Sequence, residues 1–155
     1  MSGTGHTVKS YEEEMQSLND NLVMMGSLTE NQMADAMAAV IKVDKESVDK
    51  IVKNDGKINE LRSTIDNQIT TVLVKRAPMA VDLRITISTM KISHDLERIG
   101  DLAKSVAKKV KPLPVDLPDE LIGSLRRLGD LVQKQLKDAL DAYLNRSKDK
   151  AIEIW

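Results

Sequence analysis

Residues 43–78, VDKESVDKIVKNDGKINELRSTIDNQITTVLVKRAP, decide how the rest of the chain folds. Val48, Ile51, Ile58, Ile65, Ile69 and Val72 recur at steps of three, four and seven, which places them on one stripe of an α-helix. Asp44 stands where it can cap that helix, with Lys45, Glu46 and Ser47 in the first turn. At the other end Pro78 pushes Ala77 out of the α region, so the helix ends near Arg76. Proline at a first helical position then suits the start of another helix. Links this short force the helix to run antiparallel to the ones before and after it.

Upstream, Met15, Leu18, Leu22, Met25, Ala36, Ala39 and Val43 form a second stripe, from about Ser10 to Val43. Gly26 interrupts it at a cost of about 1 kcal/mol relative to Ala. Downstream, Ile85, Ile92, Leu96, Ile99, Ala103, Val106 and Val110 mark a third. Lys104, Lys108, Lys109 and Lys111 gather at its C-terminal end, where cations complement the helix dipole. The expected fold is all-α, an antiparallel three-helix bundle over residues 8–110. Residues 1–7, MSGTGHT, read as a flexible N-terminal arm. Residues 111–118, KPLPVDLP, read as a stiff proline-rich linker.

Beyond the linker, Leu121, Leu125, Leu128, Val132, Leu136, Ala139 and Tyr143 predict a fourth helix ending near Asn145 and Arg146. A short amphipathic segment follows, from Lys148 to Trp155. This part repeats the first helix. With Gly129 placed over Gly26, and no gaps, Leu131, Gln135, Asp138, Ala139, Ala142, Lys148 and Ile154 fall on Leu28, Gln32, Asp35, Ala36, Ala39, Lys45 and Ile51. Residues 119–155 therefore read as the first helix, and the start of the second, of an incomplete second bundle. The apolar stripe of that fourth helix needs a partner, by docking on the first bundle or by dimerising, so a homo-oligomer is expected.

Composition narrows the functions. The 155 residues carry 23 Lys+Arg against 24 Asp+Glu, a net charge of −1, so no basic field attracts nucleic acid. Aromatics are 2% of the chain, too few for base-stacking platforms or an aromatic-rich β-fold. With no cysteine and only His6 and His94, thiol chemistry, Cys-ligated metals and His-rich centres are excluded. No apolar run is long enough to span a membrane, and no signal peptide is evident. A cytoplasmic helical protein is expected.

The densest polar feature is His94-Asp95-Leu96-Glu97-Arg98-Ile99-Gly100-Asp101. Glu97 and Asp101 are four apart, so their carboxylates lie one turn apart on one helix face, roughly opposite the apolar seam. Such hard oxygen donors suit Mg²⁺, Mn²⁺, or carboxylate-bridged iron or zinc. The plain alternative is a solvated surface pair neutralised by Arg98 and Lys104. Asp55 and Asn59 form a weaker pair at the same spacing on the second helix, where they could face the third. Their plain alternative is a polar, locally weak stretch around Gly56. No Glu-x-x-His pair, phosphate-binding loop or nucleophile–base set is present, so catalysis finds no support.

Met25-Gly26, Asp55 with Ile58-Asn59, Pro78 with Asp82-Leu83-Arg84, and above all the Leu96-Glu97-Arg98-Ile99-Gly100-Asp101 run resemble the PhoU family. The likeness covers residues 8–110 as a first repeat and 121–155 as the start of a second. It implies two tandem three-helix bundles, of which this chain holds the first and a truncated second. It also implies a divalent or multinuclear metal (Mg, Mn, Zn or Fe) held by Glu97 and Asp101, with Asp55 and Asn59 contributing from the second helix.

The implied role is a non-enzymatic, metal-binding adaptor between the ATPase (PstB-like) of the phosphate ABC importer and a PhoR-like sensor histidine kinase. It would act as a negative regulator of phosphate uptake and of the phosphate-starvation response, touching transcription indirectly and the membrane only through its partners. The rival readings are a metal-carboxylate-cluster enzyme and a purely structural, dimerising helical module.

Overall fold

The computed structural model of the chain describes residues 3–155, with side chains from residue 9 onward. Among the described residues the secondary structure is five helices: α1 (Gly3–Lys42), α2 (Ser47–Arg76), α3 (Ala80–Lys108), α4 (Asp119–Leu144) and α5 (Lys148–Ile154). No strand occurs among the described residues, and the expected all-α helical bundle is the fold. α1 begins at Gly3, so its backbone takes in residues 3–7 of the expected arm. Met1 and Ser2, also part of that arm, lie outside the described residues.

Two links differ in detail from expectation. Pro78 is not the first residue of α3; it sits in the non-helical link 77–79, and Asp82 N bonds Met79 O at the helix entrance. Ala77 and Ala80 both take positive φ, 44° and 48°, and this turns the chain within three residues. Regular α2 geometry starts at Ser47, later than Lys45. Asp44 nevertheless caps it, its Oδ1 accepting from the backbone N–H of Glu46 and Ser47 at 3.1 and 3.2 Å. Residues 109–118 contain no helix, in keeping with their three prolines.

By packing, the chain divides into two compact units, Met1–Leu28 with Gly56–Arg98, and Thr29–Asp55 with Ile99–Trp155. In the first, Leu18, Leu22 and Met25 of α1, Ile58, Ile65, Ile69 and Val72 of α2, and Leu96 of α3 are fully buried. Polar ties across α1 and α2 show their opposed directions. Arg76 holds Glu14 through two bonds of 3.0 Å, while eight residues earlier on α2 Gln68 bonds Ser17 and Asn21.

In the second unit, Met33, Ala36, Ala39 and Val40 pack with Val48 and Ile51 and with Ala103, Ala107 and Val110. Leu125 and Leu136 of α4 pack against that core. Gly129 lets α4 come close: a Cβ there would stand 2.9 Å from Met37 Cε. The fourth helix thus docks within its unit, yet Leu121, Leu128, Leu131 and Val132 stay exposed.

All six expected apolar positions of α2 are buried. The seam of α3 is displaced from the expected one. Its buried residues are Thr86, Thr89, Ser93, Leu96, Gly100, Ala103 and Ala107, with Val110 buried just past the helix end, whereas Ile85, Ile92 and Ile99 are half-buried and Val106 is exposed. Thr86, Thr89 and Ser93 return their hydroxyls to the carbonyls of Asp82, Ile85 and Met90, at 2.8–3.0 Å. That satisfies the polar group inside the helix and leaves a small side chain to bury.

Candidate carboxylate site

The displaced seam decides where the acidic residues of α3 stand. At 100° per residue, a seam through Ser93, Leu96, Gly100 and Ala103 brings Glu97 and Asp101 to its shoulder, not to the opposite face. Both are half-buried. The expectation that they lie fully outside is corrected by the small polar residues that hold the centre of the seam.

In the second unit one polar layer ties three helices. Asp55 of α2 is a buried carboxylate, its side chain 4% exposed. Its Oδ1 accepts from Gln32 Nε2 of α1 at 2.9 Å, and its Oδ2 from Lys104 Nζ of α3 at 2.5 Å. The same ammonium donates to Asp101 Oδ1, also at 2.5 Å. Gln32 Nε2 spends its other N–H on the carbonyl of Gly100, at 3.1 Å. Gln32 Oε1 is buried and meets no hydrogen-bond donor among the described residues.

Lys104 is 22% exposed and Asp101 47%, so the layer opens to solvent at its α3 end and most at Asp101. The hydrogen bonds of Asp101 and then of Asp55 hold the Lys104 ammonium above the usual lysine range, outweighing the burial that opposes its charge.

Of the four expected ligands, then, the structure joins Asp55 and Asp101, and it does so through Lys104. Glu97, one turn before Asp101, and Asn59, one turn after Asp55 and exposed, belong to the other unit. Among the described residues no group of three or more His, Cys, Asp or Glu side chains could hold a metal ion. A divalent cation needs free carboxylate oxygens at about 2.0–2.6 Å. The Asp55 oxygens are committed to an amide and an ammonium, and the nearest cation is already the protein's own. The arrangement does not fit a metal at this pair.

His94 stands apart from this layer in the first unit, its Nε2 3.2 Å from Asp66 Oδ1 and 3.4 Å from Arg62 Nη2. That is a half-exposed helix residue in a small charge cluster. Two clefts lie elsewhere. One in the first unit is lined by Ser10, Ser17, Thr64, Asn67, Gln68 and Thr71, and one in the second by residues of α4 and α5. Sequence reading missed Gln32 because it lies on an otherwise apolar stripe; its spacing from Met25 and Ala39 was the available signal.

The chain is similar to known proteins along most of its length. Residues 22–110 match the PhoU domain. The chain is 40% identical over 153 residues, 98% of its length and 66% of the relative's, to the phosphate-specific transport system accessory protein PhoU homolog of Caulobacter vibrioides. It is 36% identical over 96% of its length, and 68% of the relative's, to the homolog of that name from Clostridium acetobutylicum. Its structure is similar to the crystal structure of PhoU from Pseudomonas aeruginosa, with a TM-score of 0.83 at 34% identity over 92% of this chain and 69% of that one. It is likewise similar to the phosphate transport system regulatory protein PhoU from Streptococcus pneumoniae, with a TM-score of 0.84 at 32% identity over 93% and 68%. The chain thus spans about two thirds of the length of these relatives.

Proposed function

The chain belongs to the PhoU family, and from that premise we propose that it is a regulatory accessory of phosphate uptake, acting on the cytoplasmic side of the membrane. In this reading it represses uptake and the phosphate-starvation response when phosphate is ample. It does so as an adaptor, bringing helical faces to the ATPase of the phosphate importer and to a sensor histidine kinase, with no reaction of its own.

The observation that supports this most is the 40% identity, over 98% of the chain, to a protein named as an accessory of phosphate-specific transport. The structure adds physical support. Long helices that leave whole polar and apolar faces exposed suit protein contacts. In the first cleft the carboxylate of Glu14 is held by the Arg76 guanidinium through two bonds of 3.0 Å. Among the described residues no helix is long and apolar enough to cross a membrane.

The test is a reporter of phosphate-starvation genes in a bacterial strain lacking its own regulator of this family, grown in ample phosphate. Expression of the chain is expected to lower the reporter. An unchanged reporter, with the chain present at normal levels and folded, would contradict the proposal.

A further inference from the structure

The resemblance to the PhoU family implies a metal on the acidic residues of α2 and α3, and the geometry disagrees at the one place where those residues meet. Asp55 Oδ2 and Asp101 Oδ1 are each 2.5 Å from the same Lys104 nitrogen. The lysine reaches them from α3 itself, three residues beyond Asp101 and 49 beyond Asp55. Its stem is largely covered and its head is fixed by two anionic acceptors, so it is not a freely moving surface side chain. The remaining oxygen of Asp55 that the layer uses accepts from Gln32.

We propose that the Lys104 ammonium is the resident cation of the Asp55–Asp101 pair, so that the pair is complete without a metal ion and Lys104 keeps divalent cations from it. Two negative charges facing one positive charge leave the layer with one net negative charge, and the Asp101 side, 47% exposed, lets water carry it. A divalent ion entering there would meet the ammonium at a few ångströms and would have to expel it. The same ammonium sets a positive charge beside a carboxyl buried between helices. Without a cation, a carboxylate in that position loses hydration that nothing replaces.

The experiment measures Mn²⁺ on the full chain, purified without chelator. Metal content is taken first, and free Mn²⁺ is then followed by electron paramagnetic resonance during titration. Wild type, Asp101→Asn, Lys104→Met and the Lys104→Met/Asp101→Asn double variant are compared. Wild type and Asp101→Asn are expected to bind Mn²⁺ equally weakly, with melting temperatures unmoved by chelator. Lys104→Met is expected to bind it about tenfold more tightly or better. That is the effect of removing one positive charge a few ångströms from a divalent ion, even at the dielectric constant of water. The double variant is expected to lose this gain.

A wild-type chain holding near-stoichiometric metal that Asp101→Asn releases would overturn the proposal, as would a folded Lys104→Met that binds Mn²⁺ no better than wild type. Should Lys104→Met not fold, the comparison of wild type with Asp101→Asn, whose changed side chain is half-exposed, still decides. Neither result bears on whether the chain contacts an ATPase or kinase, so this inference fails separately from the adaptor role.

Discussion

Single residues set the polar economy of the bundle. Asp55 is tolerated inside because Lys104 and Gln32 satisfy it, and removing one partner of a buried pair costs far more than the pair contributes. Lys104→Met is therefore expected to lower unfolding free energy by roughly 3 kcal/mol in urea melts. Adding Asp55→Asn, which removes the stranded charge, is expected to recover part of that loss. Equal stability of the single and double variants would show that no charge was stranded.

Glu14 answers to acid instead. The hydrogen bonds and charge of Arg76 hold its carboxyl below the usual range. A group lowered on folding stabilises above its unfolded pKa and loses that contribution as pH falls through the folded value. Melting temperature between pH 7 and pH 3 is thus expected to fall more steeply, below about pH 4.3, in wild type than in Glu14→Gln.

The legibility of the sequence also divides by residue type. Ile58 and Ile65 announced themselves by apolar spacing. Thr86, Thr89 and Ser93 did not, because a hydroxyl turned back to its own helix is invisible to a count of apolar side chains. That one blind spot rotated the expected seam of α3 and put Glu97 and Asp101 on the wrong side of it. Lys104 was read as a neighbour of Asp101, but its second partner lies on another helix and no local pattern reveals it.

At the scale of elements, the ends of the helices repeat as faithfully as their faces. α1 closes with Val43 at φ 50°, Val43 N bonded to Val40 O and Asp44 N to Ala39 O. α4 closes with Arg146 at φ 50°, Arg146 N bonded to Tyr143 O and Ser147 N to Ala142 O. These are two Schellman closures at positions the repeat superposes. Each is followed by a side-chain cap three residues long, from Asp44 to Ser47 and from Ser147 to Lys150. The duplication read from Gly26 and Gly129 therefore extends to backbone geometry, even where Val43 faces Arg146 and the side chains share nothing.

The left-handed alanine of the 77–79 link offers another test. Ala77 is exposed, has φ 44° and precedes proline, which strains it further. Ala77→Gly is expected to raise stability by about 0.5–1 kcal/mol in thermal or urea melts. A loss would mean that the freer unfolded chain outweighs the relief.

For the seat of α4, Gly129→Ala presses on the flexible Met37 side chain alone, at Cε (2.9 Å) and Cγ (3.2 Å), and is expected to be mild. Gly129→Leu is expected to cost about 1–3 kcal/mol, with partial rescue by Met37→Ala. Partial proteolysis of α4 reads this directly, because an undocked helix is cut sooner.

For the molecule as a whole, repetition exposes what is shared and what differs. Met25 is 0% exposed in α1, whereas its counterpart Leu128 in α4 is 57% exposed. The same apolar stripe is covered in one repeat and open in the other. Helix number, order and short links were legible in the sequence because they depend on spacing, caps and prolines. The division into two packed units, each drawing on α1, α2 and α3, was not, because it depends on which stripes meet and where polar residues such as Asp55 and Gln32 interrupt them.

The proposed adaptor role requires those faces to meet other proteins, and binding tests it most directly. The purified chain is immobilised, and purified phosphate-importer ATPase and the cytoplasmic part of the sensor kinase are passed over it, with an unrelated ATPase as control. Saturable binding to the importer ATPase and to the kinase, absent with the control, is the expected result. A folded chain that binds neither partner, under conditions where a full-length relative binds both, would contradict it.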